Sequence, residues 1–477
     1  MILAVDIGTG SCKAVLVGPN GEVLARRAVG YALRSTEPGE AEQDAAEVLR
    51  AVDLATGAAV ADAPGRLRAV VLSSAMHTVI ALDRNGEPAT PVLTWADRRG
   101  AEDAAALAGT DLGRELWART GTPIHASSPM CKLGWLRRER AELFARASAF
   151  VSIKELVIRR WLGSEIVDAS TASATGLYDL ECGEWYALAL RQCGVDPARL
   201  GRVVPTTEVS TSWRAGARAA LGLDDQTPLV VGATDGVLAN VGVGAVRPGV
   251  VAVTLGTSAA ARTVVTAAAG DPDRGLFCYV LDDGRFVAGG AVNNAGLALE
   301  RAADLLEVDG VSAVLAMAER SPPGARGLVC LPRVAGERFP DYDSGRRGAF
   351  AGWSVEHSRD DFARAVLEGV LRAVAGVAAA VGAVHGDLVE VRGGGGLLRS
   401  PLVRRILADS IGRPLRIPAS VEATAVGAVW LARHALGDPD VWQRCAELDG
   451  AEVVTPSRDG ERLYRELSER AVEQLGG

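Results

Sequence analysis

At 477 residues the chain is too long for one ordinary core, and its length implies two to three domains. With 48% hydrophobic and 23% charged residues it has the balance of a globular protein, which excludes a disordered one. A net charge of −8, with no local Lys/Arg block, gives no support to binding of nucleic acid or an anionic membrane.

From the N-terminus, Ile2–Asp6, Lys13–Val17 and Val23–Val29 read as a strand meander turned by Pro19-Asn20-Gly21. A helix is expected from about Ala41 to Ala61, then strands at Leu67–Ser73 and Val79–Asp83. From Ala101 to Arg146 the pattern is helical, and Glu155 to Leu162 continues it. Leu229–Gly232 is a short strand. The second half then repeats the plan: Val250–Leu255, Ala259–Val265 and Phe286–Ala288 form a meander, and helices follow at Leu297–Leu306 and Val311–Glu319. A long helix, Asp360 to Val384, leads to the strand Val389–Val391, the run Gly393–Gly396 and a helix from Pro401 to Ile411. A closing helix begins near Ala423. The plan is an α/β fold of two halves, 1–245 and 246–477, with a cleft between them. The boundary falls near Gly244–Pro248, where no low-complexity linker occurs.

No basic n-region or cleavage site precedes Ile2, and the apolar run Ala373 to Val384 is short for a bilayer. Seven cysteines, at 12, 131, 182, 193, 278, 330 and 445, include no CxxC pair. Reduced thiols are expected, with no disulfide framework and no zinc site. These features point to a soluble cytoplasmic protein without a membrane partner.

Ala4-Val5-Asp6-Ile7-Gly8-Thr9-Gly10-Ser11-Cys12-Lys13 returns, altered, as Ala252-Val253-Thr254-Leu255-Gly256-Thr257-Ser258. Each copy is an apolar strand running into a Gly-Thr turn. Glycine allows close backbone approach there, and amides with hydroxyls form a concave donor set for phosphate oxygens. Two such turns across a cleft suit a nucleotide-dependent phosphotransferase. Asp6 in the first copy is Thr254 in the second. A carboxylate cannot donate to phosphate but can organise Mg²⁺ and its waters, so the first turn reads as metal-linked.

Gly232-Ala233-Thr234-Asp235-Gly236 follows a strand between the two turns, and a carboxylate there can take the proton of an attacking hydroxyl. Sugars are bound by planar polar groups with an aromatic face. Ser73-Ser74-Ala75-Met76-His77 and Thr94-Trp95-Ala96-Asp97-Arg98-Arg99 supply such groups at strand ends, and Lys154 is a further candidate. The Gly393–Gly396 run, followed by Ser400 at a helix start, suits a flat base lying on backbone. No GxxxxGK[ST], GxGxxG after a first strand, GxSxG or HExxH is present, which removes P-loop kinases and NAD enzymes.

Two long segments carry a family resemblance. Ser127-Ser128-Pro129-Met130-Cys131-Lys132-Leu133-Gly134-Trp135-Leu136-Arg137-Arg138-Glu139 resembles the first signature of the FGGY carbohydrate kinases. Gly348 to Glu368 resembles the second, with Trp353 in place of an aliphatic residue. The resemblance implies the duplicated ribonuclease-H-like fold of actin and hexokinase, ATP and Mg²⁺ as cofactors, and a small sugar or sugar acid as substrate. Homodimerisation is left open.

It implies Asp235 as general base, with Asp6 and Asp235 at the metal. Met76, His77, Trp95, Asp97, Arg98 and Lys154 are implied at the sugar. Around the nucleotide it implies Gly8, Thr9, Gly10, Ser11, Lys13, Gly256, Thr257, Gly290, Asn294, Gly395, Gly396 and Ser400. Asn293 belongs with that last group, while Glu337 and Arg338 are equally well an ion pair supporting the fold. The wording of Ser73–His77, Thr120–His125, Ser152–Glu155 and Ser173–Tyr178 resembles gluconate kinases more than xylulose or glycerol kinases. For a substrate carboxylate, His77, Arg98 and Lys154 are the expected partners. The alternatives are another pentulose or polyol kinase of the family, or a non-catalytic ATP-binding sensor or chaperone of the same fold.

Overall fold

The computed structural model describes residues 1–19, 21–268, 270–418, 422–447 and 451–475. Asn20, the centre of the expected first turn, lies outside them. Each half is built on one large sheet. The first has six strands, ordered Val209–Ser210, Leu229–Thr234, Ala69–Ser74, Ile2–Ile7, Ser11–Val17 and Val23–Gly30. The second has seven, ordered Phe277–Asp282, Arg285–Val292, Ala259–Val265, Val250–Leu255, Glu390–Gly394, Leu415–Ile417 and Glu452–Val454.

The repeat of the Gly-Thr turns is a repeat of topology. Ile2–Ile7 pairs antiparallel with Ser11–Val17 and parallel with Ala69–Ser74. Val250–Leu255 pairs in the same way with Ala259–Val265 and Glu390–Gly394. Ala69–Ser74 and Leu229–Thr234 are buried at every position, as parallel strands covered on both faces must be. The result is the duplicated α/β fold.

Local chemistry explains where elements depart from expectation. The first long helix, Ala45–Ala61, starts late because the Asp44 side chain caps it, accepting the Glu47 amide at 2.9 Å. The region from Ala101 to Arg146 is four helices, with Gly109 and Gly121 at φ of 73° and 68° punctuating it. Phe277–Asp282 adds a fourth strand to the second meander, a short continuous apolar run of the kind whose periodicity does not separate strand from helix. Arg359–His385 opens with a capping box made by Ser358 and Asp361. By length and composition this helix could cross a membrane, yet two-thirds of its most apolar window, 67%, is buried inside the protein. It packs in the core of the second half.

The two signatures serve largely as scaffold. Lys132 lies fully buried on the helix Pro129–Glu139. In the second signature Arg364 Nε donates to Glu368 at 2.6 Å, and Glu368 also accepts from the Gly324 amide and the Tyr464 hydroxyl. Trp353, the departure from the pattern, is 73% exposed, where an aromatic ring costs the core nothing.

The helix Ala423–Ala435, late in the chain, packs on the first sheet and on the helix Asp235–Gly242. Two glycines permit this crossing. A Cβ on Gly242 would come within 1.7 Å of the Ala423 oxygen, and one on Gly427 within 1.9 Å of the Leu238 oxygen.

Candidate active site

The segments singled out for chemistry gather at the carboxyl ends of the parallel strands. Asp6 and the first turn end Ile2–Ile7, Met76 and His77 follow Ala69–Ser74, and Asp235 follows Leu229–Thr234. On the other side Thr257 ends Val250–Leu255 and Gly395 ends Glu390–Gly394. Open α/β sheets place ligand sites at this edge. Between the halves lies a cavity of about 440 Å³. Thr9, Met76, His77, Trp95, Arg98 and Asp235 line it from one side, and Thr254, Thr257, Arg262, Asn293 and Arg338 from the other.

Asp235 opens the helix Asp235–Gly242 and accepts the Gly236 amide at 2.7 Å. Gly232 sets its position. It has φ of +79°, a Cβ there would come within 1.8 Å of the Leu72 oxygen, and the strand register shifts between Val230 and Ala233. Burial, and then repulsion from Asp6, push the Asp235 carboxyl up to about 6. Asp6 accepts the Ser73 hydroxyl at 2.8 Å, and burial raises its pKa too. Two like charges so enclosed favour either a shared proton or a cation. One or two carboxylates with room for water is a donor set that fits Mg²⁺. Among the described residues there is no cluster of three or more His, Cys, Asp or Glu that could hold a metal.

Both turns close on their own glycine, the second one residue shorter: the Gly8 amide donates to the Ser11 oxygen at 3.1 Å and the Gly256 amide to the Ser258 oxygen at 2.9 Å. Thr9 is braced by Gln43 on its carbonyl and by Trp95 Nε1 on its hydroxyl, the latter at 2.8 Å. Gly10 is exposed. Lys13 lies 3.9 Å from Glu422. Thr257 is exposed to the cavity, and the helix Gly296–Leu305 docks behind it through the Gly296 and Leu297 amides. Gly395, at φ +107°, could not carry a Cβ, which would meet the Leu255 oxygen at 2.3 Å. Gly395 and Gly396 are exposed beside the second turn, and Ser400 caps Pro401–Ile411.

Other expected site residues are engaged elsewhere. Asp97 is fully buried and accepts from the Ala41 amide and from Arg99, so it shapes the loop and does not line the cavity. Lys154 is buried in an ion pair with Asp168 at 2.7 Å. Gly290 is buried within a strand, where a Cβ would strike Phe339 and Val377 at 2.9 Å. Asn294 spends its amide on Gly336, Glu337 and Ala335, so Asn293 faces the cavity in its place. Glu337 accepts the Asn293 and Arg338 amides. The expected Glu337–Arg338 ion pair is absent among the described residues. His77 lines the cavity but carries no charge at neutral pH. Burial, with Lys132 and Arg338 nearby, pushes its pKa down to about 3, and its Nδ1 donates to the Ala174 oxygen.

Arg262 and Arg338 are the cationic groups sequence reading missed or left undecided. Arg262 interrupts the apolar strand Ala259–Val265, a charge among buried neighbours that was the available signal. Burial pushes it down to about 10, so it stays charged, and Asp235 opposes that shift. Arg338 lies 5.9 Å from the Trp95 ring centre and donates to the Val292 oxygen at 3.1 Å. His125 is held neutral, near 3, by burial and by Arg338.

Residues 1–242 match the FGGY family of carbohydrate kinases, N-terminal domain, and residues 216–436 match its C-terminal domain. The chain is 36% identical to the gluconokinase of Bacillus subtilis (strain 168), with 98% of this chain and 94% of that protein covered. It is 28% identical to the xylulose kinase of Escherichia coli (strain K12), with 91% and 90% covered. Among solved structures, the gluconate kinase from Lactobacillus acidophilus superposes with a TM-score of 0.94 at 30% identity, covering 99% of this chain and 96% of that one. The ligand-bound xylulose kinase from the same organism gives 0.93 at 30% identity, covering 99% and 98%.

Proposed function

Because the chain belongs to the FGGY family of carbohydrate kinases, we propose that it transfers the γ-phosphoryl group of ATP to the 6-hydroxyl of D-gluconate. The observation that carries the reading is Asp235, enclosed between the two Gly-Thr turns with a carboxyl raised to about 6. As carboxylate it takes the proton of the attacking hydroxyl, and the oxygen displaces ADP in line at the γ-phosphorus. The amides and hydroxyls of Gly8, Thr9, Gly10, Ser11, Gly256 and Thr257 receive phosphate oxygens, with Lys13 adding charge. Gly395, Gly396 and Ser400 border the nucleoside. Trp95 offers its face to the sugar while its ring N–H fixes the first turn.

Asp6 and Asp235 would hold Mg²⁺, which supplies positive charge to the phosphates when bound. Phosphoryl transfer depends mainly on positioning and electrostatics, so approach of the halves to exclude water belongs to the cycle. A cytoplasmic setting accords with the use of ATP. Gluconate as the sugar is favoured by the 36% and 35% identity to two Bacillus gluconokinases. A binding-only protein of this fold would have no use for a base at the cleft.

The test is ADP release with gluconate, xylulose, ribulose, glycerol and fuculose. Gluconate should give the highest kcat/KM. Preference for xylulose would replace the substrate, and sugar-independent ADP release would remove the kinase reading.

A further inference from the structure

We propose that Arg262, Arg338 and the Tyr342 hydroxyl form a carboxylate-binding subsite at the closed end of the cleft. It would hold the acid end of a sugar acid and leave the far hydroxyl toward Asp235. The inference rests on the gluconate reading and adds which groups recognise the acid.

Behind the main cavity lies a recess of about 50 Å³, room for a group the size of a few waters. It adjoins the main cavity, since Met76, His77, Arg262 and Arg338 line both. No Asp or Glu among the described residues lines it. Three buried polar atoms have no hydrogen-bond partner among the described residues and belong to residues lining this recess: Arg262 Nε, Arg338 Nε and Tyr342 Oη. Folded proteins satisfy nearly all such groups, so three orphan donors around one void call for an acceptor from outside the chain.

The local charge calls for the same acceptor. Two guanidiniums face the recess, whose own lining holds no carboxylate among the described residues; Asp235 and Glu337 act on them from outside it, and the neighbouring imidazoles of His77 and His125 are held neutral. A planar anion with two acceptor oxygens matches guanidinium N–H groups, whereas a ketose or polyol brings no charge to pair them. The backbone is committed to this shape. His77 and Tyr342, neither of them glycine, adopt φ of 63° and 54° at the rim. Tyr342 is held there by edge contacts with Trp117 at 5.1 Å and His125 at 5.7 Å.

Lys154 and His77, expected at the carboxylate, do not provide the charge. One is sealed in an ion pair with Asp168 and the other is neutral. Arg98 lines only the outer cavity.

The experiment compares binding of D-gluconate and of its neutral isostere D-gluconamide to the full-length protein by calorimetry. The proteins are wild type, Arg338→Met and Tyr342→Phe, with turnover measured in parallel. Wild type should prefer gluconate by about 100-fold, the worth of a charge-assisted pair. Arg338→Met should bring that preference to within about threefold, and Tyr342→Phe should lower it by about tenfold. The second variant removes one oxygen and keeps the ring contacts, so it tests the idea even if the first misfolds. An unchanged preference in both variants, or none in wild type, overturns the subsite. Gluconate binding with the expected pattern but no phosphorylation would retain the subsite and discard the proposed reaction.

Discussion

Lys132 Nζ donates to the carbonyl oxygen of His77 at 2.6 Å, and the same ammonium reaches the Thr94 oxygen at 2.5 Å. One buried side chain thus ties the strand end carrying Met76 and His77 to the one carrying Trp95. His77 needs such a tie because its φ of 63° is unfavourable for a residue with a Cβ. Lys132→Met leaves both carbonyls without this donor. The sugar KM should rise about tenfold or more, with the KM for ATP within about twofold of wild type. Equal increases for both substrates would show that the variant merely loosens the fold.

Asp235→Asn should preserve fold and nucleotide binding and lose about 10²- to 10⁴-fold in kcat, the usual worth of a positioned base. A general base works only when ionised. With its pKa near 6, kcat/KM should be level above that pH and fall about tenfold per unit below it. A profile flat to pH 4.5, or a variant within a few-fold of wild type, would assign the proton elsewhere.

The two turns should respond differently. Asp6→Ala should weaken the Mg²⁺ dependence of turnover, and Thr257→Val should chiefly raise the KM for ATP. Titrations of each against both ligands check the pair. An unaltered Mg²⁺ dependence in the first variant would leave Asp6 without its metal role.

For Lys154 the expected outcome is a loss of stability, not of sugar recognition. Removing it strands Asp168, which is fully buried and also accepts the Thr171 amide and hydroxyl. Breaking such a pair costs about 3–5 kcal/mol. Denaturant unfolding of Lys154→Met should show that loss, while the sugar KM of the folded enzyme stays within about threefold. A selective rise in that KM, with stability intact, would return Lys154 to the sugar site.

The repeated turn was the most legible part of the chain, because close approach and phosphate geometry restrict the residues that can form it. Val250–Leu255, Ala259–Val265 and Pro401–Ile411 ran as their patterns indicated. Phe277–Asp282 was not read as a strand, although fully buried strands of the same kind, such as Leu229–Thr234, were; a short continuous apolar run has no period that separates strand from helix. The site was read through residue types, and type does not reveal partners. Asp97 and Lys154 have the chemistry of sugar ligands, yet Asp97 is engaged by Arg99 beside it and by the distant Ala41 amide, and Lys154 by Asp168. Arg262 and Arg338 were under-read for the converse reason. Their pairing with the recess depends on loops and strands that meet only in three dimensions.

The late helix Ala423–Ala435 lies against the sheet built by the first residues of the chain, through the close glycine crossing at Gly242 and Gly427. A gene cut after residue 245 would therefore not release two self-sufficient proteins. The leading fragment would present a bare apolar sheet face, and the trailing fragment an apolar helix with nowhere to lie. Each should be insoluble or unfolded when made alone, and co-expression should bring both into solution as an active pair. The helix Ala423–Ala435 is a stitch between the halves, and opening of the cleft should turn about that seam.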